Sequence, residues 1–332
     1  MGISANPAVP HEPYLAPRGR VHDFLDRLRR GDEIAHILTL IFASSIVLVT
    51  SLLVYELWVN SALSRHTFGW NFFVTSVWDP VFEHFGALPF LYGTIITTIV
   101  ALIIAVPLGV GAAIFLAELA PRRLSDSLAF VIDLLAAVPS VIYGVLGIFV
   151  VVPFVRTILG PFLESTLGFL PLFKGPSYGL GVLTASLVLA IMILPFIVSV
   201  SREVLLAVPT DQREAALGLG ATRWESTIRV VVPFARTGIV GSIFLAMARA
   251  LGETMAVTMV IGNDPKISAS LLAPGYSIAA VIANEFTEAT GTLYLQALIE
   301  LGLVLFLVTF ILNGLARLLI VATEQRGGSL PA

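Results

Sequence analysis

The 332-residue chain contains no cysteine. Disulfides, thiolate nucleophiles and cysteine metal sites are therefore excluded, and cysteine usage says nothing of the redox compartment. Lysine is nearly absent, occurring only at Lys174 and Lys266. Neither lies in GxxxxGK followed by Ser or Thr, the loop whose backbone amides and lysine hold nucleotide phosphates. Any energy source must then be another subunit or an ion gradient. Five histidines, at 11, 22, 36, 66 and 84, show no metal-ligand spacing, so no metal site is expected. Charge is scarce as well: 12% of residues are charged, against about a quarter in soluble domains. The net charge of −3 implies no bulk attraction to nucleic acid.

What fills the chain is apolar: 57% of it is hydrophobic. A membrane helix needs roughly 20 apolar residues, and six segments meet that length, at 34–59, 90–118, 127–155, 178–206, 237–261 and 292–321. The expected fold is an all-α integral membrane protein with six transmembrane helices. Pro107, Pro139, Pro153 and Pro195 fall inside those segments and suggest kinked, packed helices. The first apolar run is too long for a signal-peptide core and reads as a retained membrane helix. Residues 1–33 read as a polar tail, with Val21, Phe24, Leu25 and Leu28 on one face of a short amphipathic helix. Residues 323–332 form a second tail. Fourteen arginines would lie on the side of the N-terminus, while Arg65, Arg156, Lys174 and Lys266 would lie opposite. That excess places both termini in the cytoplasm.

Residues 210–233 interrupt the pattern with the polar, arginine-bearing TDQREAALGLGATRWESTIRVVVP. The bias puts this loop inside the cell. Asp211 with Glu214 is spaced as a capping box, as is Thr222 with Glu225. Gly218 and Gly220 should stop the first short helix, and Pro233 the second. Two short capped helices in a loop suit docking to another protein.

Charges inside the membrane mark the other candidate site. Arg249 lies midway along the fifth apolar segment, and Glu253 follows at i+4 on the same helical face. Each costs roughly 2.5–3.5 kcal/mol at mid-bilayer. They could form a structural ion pair or an anion pathway, since the guanidinium fork suits phosphate or sulfate. Asp133 and Glu300, also near membrane depth, read as structural groups facing other helices, and Glu56 and Glu118 as snorkelling groups at span ends. Small residues at Gly109, Gly111, Ala112, Ala113, Ser140, Gly144 and Gly147 signal close helix packing.

Glu214, Ala215, Ala216, Gly220 and Pro233 stand at the spacing of the EAA loop of ABC-importer permeases, with Val230 and Val232 in place of its isoleucine and leucine. AVPSVIYGVLG at 137–147, RALGETMAVTMVIGN at 249–263 and the segment 94–119 resemble the phosphate ABC-transporter permeases, over about 90–321. The resemblance implies a type I importer fold, with residues 34–89 as first helix and outer loop and 90–322 as the permease domain. It implies a multi-pass subunit of the bacterial cytoplasmic membrane, paired with a second permease, two ATPase subunits that bind ATP-Mg, and an extracytoplasmic phosphate-binding protein. Asp211, Glu214, Ala215, Ala216, Gly220 and Pro233 would then couple to the ATPase, and Arg249 and Glu253 would line the substrate path. The chain itself would be no enzyme and hold no cofactor. A permease for sulfate or molybdate, a secondary anion transporter and a structural membrane subunit remain as alternatives.

Overall fold

The computed structural model describes residues 32–327. The amphipathic helix expected over 21–30 lies outside them. Six helices among the described residues are long and apolar enough to cross a membrane. The chain falls into two units, which meet between Glu56 and Leu57.

The first unit is the greater part of α1 (Asp32–Asn60), whose apolar side chains stay exposed around the helix. The second unit begins in the last turn of α1. It continues through α2 (Ala62–Phe68), α3 (Asn71–Val74) and a two-stranded antiparallel hairpin of β1 (Trp78–Asp79) and β2 (His84–Phe85). The second span is α4 (Leu88–Leu119). After a break at Pro121 comes α5 (Arg122–Ala136), a separate helix with charges on one side. The third span, α6 (Ser140–Leu167), starts only after Pro139. The sequence expectation of a span over 127–155 therefore merged two elements. Its amphipathic half, α5, lies against the fourth span, α7 (Val182–Leu206), through Asp133, which accepts from Ser199 Oγ at 2.9 Å, and Arg202, which donates to Ser125 Oγ at 3.1 Å. Arg156, read as a loop cation, falls inside α6.

The loop forms α8 (Thr210–Gly218) and then runs straight into the fifth span as one rod, α9 (Arg223–Leu251). A short α10 (Met255–Val260), a half-buried α11 (Ile278–Glu285) and the last span, α12 (Thr292–Gly327), complete the described residues.

Pro233 does not end its helix, contrary to expectation. Four π-helical stretches each stop two residues before a proline: Phe115–Leu119 before Pro121, Gly147–Val151 before Pro153, Val155–Leu159 before Pro161, and Thr227–Val231 before Pro233. A proline ring collides with the carbonyl four residues back and offers no N–H. Widening the preceding turn shifts that carbonyl aside, so α6 passes through Pro153 and Pro161, and α9 through Pro233, intact.

The core is layered along α7, the most buried span. One end packs Ala113, Leu116, Val198, Leu205, Val231 and Ala235, at the side of the 210–233 loop. The middle packs Ala105, Val188, Met192, Ile193, Ala246 and Val260. The far end is aromatic, with Phe72, Phe85, Phe90 and Tyr276 around α11 and the start of α12. There Glu300 is buried and accepts from Ser64 Oγ at 2.5 Å, while Gln296 Oε1 accepts from Leu63 N–H. Glu300 and Asp133 thus face other helices, as read from the sequence.

Candidate functional site

The loop helix α8 ends in a tight motif. Ala221 N–H donates to Ala216 C=O and Gly220 N–H to Leu217 C=O. This pair of bonds is the Schellman turn, which needs a left-handed residue at the position of Gly220. Gly220 has φ +89°. Glycine there carries no Cβ to strain that conformation. The box at Thr222 forms: Glu225 N–H donates to Thr222 Oγ1 at 3.2 Å, and Thr222 N–H donates to Glu225 Oε2 at 2.9 Å. The box expected from Asp211 and Glu214 does not. The helix starts earlier, with Pro209 at the N-cap, which leaves Asp211 in the first turn. Its charge still suits the positive helix end.

Asp211, Glu214, Ala215, Leu219 and Gly220 are exposed, and Ala216 is buried. Leu219, at the tip, is 92% exposed. Between α8 and the start of α9 lies an open cleft of about 530 Å³, lined by Ala215, Gly220, Ala221, Glu225 and Arg229 among others. The helix pair thus presents an apolar tip beside an open cleft.

The interior of α8 is anchored by a contact the sequence did not signal. Arg213 Nη2 lies 2.8 Å from Glu118 Oε1, at the end of α4, and also donates to Leu205 C=O at 2.7 Å. Its Nη1 donates to Val208 C=O. Glu118 is thus held in an ion pair and does not snorkel. Ninety-five residues separate the partners, so no local pattern links them.

The second candidate site is also rearranged. Helix α9 stops at Leu251, and Gly252 and Glu253 are not helical. Glycine weakens a helix interior by about 1 kcal/mol. The Glu253 side chain then competes for the backbone: Oε1 accepts from Ala256 N–H at 3.1 Å, at the first turn of α10. The i+4 register with Arg249 is lost, and no ion pair joins them. Arg249 is exposed, and its Cζ stands 4.2 Å from the centroid of Phe196 on α7. No carboxylate reaches it within 4.0 Å among the described residues. A guanidinium resting on an aromatic face, with its fork unspent, is free to take an anion.

Close packing brings the two other quoted segments together. A Cβ on Gly144 of α6 would meet Met259 Sδ at 2.5 Å and Ala256 Cα at 3.1 Å, both on α10. Tyr143, beside it, donates to Leu135 C=O of α5 at 2.7 Å. The broken helix and the 137–147 segment therefore form one packed unit.

Residues 105–323 match the family model of the binding-protein-dependent transport system inner membrane component. The chain belongs to this family. It is an inner-membrane permease subunit with six membrane helices. A phosphate transport system permease protein PstC of Mesorhizobium japonicum is 47% identical over 307 residues, covering 91% of this chain and 94% of the relative. One of Xylella fastidiosa is 49% identical, covering 79% and 82%. A probable PstC of Methanocaldococcus jannaschii is 38% identical, covering 86% and 92%. Among solved structures, a bacterial alginate ABC transporter, in complex with an alginate pentasaccharide-bound periplasmic protein, matches with a TM-score of 0.55 at 14% identity, over 87% of this chain and 96% of its own. An inward-facing MetNI methionine ABC transporter matches with a TM-score of 0.52 at 16% identity, over 70% and 94%. At those identities the likeness is one of fold, and the fold is that of the type I ABC-importer permeases.

Proposed function

We propose that this chain is the permease subunit of an ATP-driven importer that moves inorganic phosphate across the cytoplasmic membrane. The observation that carries this reading is the near full-length similarity to phosphate transport system permeases, at 47% identity over 91% of the chain. The unspent Arg249 guanidinium in a membrane helix agrees with an anionic cargo.

In this reading both termini and the 210–233 loop are cytoplasmic, as the arginine excess supports. A second permease completes the path, two ATPase subunits bind ATP-Mg, and an extracytoplasmic protein delivers phosphate. Asp211, Glu214, Ala215, Ala216 and Gly220 meet the ATPase, and the Pro233 rod carries its movement into the fifth span. Closure of the ATPase pair rocks the permeases as rigid bodies, which alternates access to the path. Arg249 pairs transiently with the anion. Glu253 offers selectivity: its Oε2 makes no hydrogen bond among the described residues. Phosphate near neutral pH keeps a proton and donates to a carboxylate, whereas sulfate has none and is repelled.

The test is uptake of labelled phosphate and labelled sulfate into proteoliposomes that hold the whole complex. ATP- and binding-protein-dependent accumulation of phosphate is expected. Accumulation of sulfate in its place, or uptake without ATP, would refute the reading.

A further inference from the structure

The side chain of Arg213 joins three elements at once. It leaves the middle of α8 and reaches the Glu118 carboxylate at the end of α4, the Leu205 carbonyl in the last turn of α7 and the Val208 carbonyl just beyond that helix. Both charged side chains are largely shielded, at 20% and 10% exposure. Carbonyls at a helix C-terminus lack partners within the helix and carry the negative end of its dipole. The planar guanidinium can answer two carbonyls and a carboxylate together, which a lysine cannot.

We propose that Arg213 and Glu118 form the strut that transmits movement of the loop helix into the transport path, as positioning residues in coupling. This rests on the importer reading above. The chain connects α8 to the spans only at its two ends, through residues 207–209 and through α9. The strut adds a third attachment, at the middle of the helix, and directs it to α7. That helix also carries Phe196, the ring over which Arg249 sits. Displacement of α8 is thus passed to α7 and α4 through side-chain bonds, at the same time as α9 is moved through the backbone. The anion-facing arginine and the ring beneath it are moved from two sides.

The experiment uses the whole complex in proteoliposomes with its binding protein, and measures ATP hydrolysed per phosphate taken up. Glu118→Gln keeps the shape and removes the charge. Arg213→Lys keeps the charge and loses the fork. Each is expected to retain its ATPase subunits on purification, yet raise the ratio by about fivefold, within the range by which residues lying between two coupled sites change their coupling. The double variant is expected to be no worse than the poorer single one. An unchanged ratio in assembled variants would overturn the strut. Should Glu118→Gln fail to assemble, Arg213→Lys decides by the same ratio. If the unaltered complex itself shows no ATP-driven uptake, the importer reading falls, and the strut with it. Coupled uptake in the unaltered complex together with unchanged variants refutes the strut alone.

Discussion

Gly220→Ala isolates the conformational demand of the 210–233 loop. The backbone at this glycine has φ +89°. A Cβ added there would meet no atom within 4 Å. The substitution therefore costs nothing in packing within the chain, and its whole effect is the left-handed conformation, about 1–2 kcal/mol for a residue with a Cβ. If α8 must keep its Schellman end to dock, that energy appears as a loss of about 5- to 30-fold in ATPase association. Asparagine, which tolerates the left-handed region better, should lose less than alanine although it is larger. The assay is titration of the purified permease pair with ATPase subunits, followed by ATP-driven phosphate uptake. The order Gly, Asn, Ala supports the argument from backbone conformation. The order Gly, Ala, Asn would refute it, because affinity would then follow side-chain bulk against the partner.

Arg249→Gln should abolish most phosphate uptake while leaving ATPase association intact, and Arg249→Lys should recover only part of it, since a point charge lacks the fork. Labelled uptake beside co-purification reads both. Glu253→Gln should raise the sulfate-to-phosphate uptake ratio in the same vesicles, and an unchanged ratio would assign Glu253 to capping α10 alone. Gly144→Ala drives a Cβ to 2.5 Å from Met259 Sδ and should destabilise the chain by about 1–3 kcal/mol, with partial rescue by Met259→Ala in thermal unfolding. Thr222→Ala removes the acceptor for Glu225 N–H and should cost about 1 kcal/mol of stability in the loop, seen as faster proteolysis at residues 219–226.

Much of the fold was legible because bilayer physics is written in composition. Spans one, two, four and six lie within a few residues of where apolar length placed them. The third failed because α5 is amphipathic and apolar enough to extend a hydropathy window, while only packing shows that Pro139 divides it from α6. The Thr222 box was legible because its signal is local. The Asp211 box was not, because chain entry from α7 lets Pro209 start the helix first. The Arg249–Glu253 pair was inferred from a regular helix, and Gly252 with a carboxylate that prefers a backbone donor broke that premise.

The sequence by itself determined the class of molecule: a chain too apolar for water, without a P-loop, with a polar loop at the EAA spacing and an arginine in a membrane helix. Each of these depends on composition or on residues close in the chain. The tertiary structure alone decided which charges meet. It paired Arg213 with Glu118 across ninety-five residues, placed Phe196 under Arg249, and turned Glu253 to the backbone. Such contacts are set by how helices pack, and packing follows from the whole chain burying its surface together.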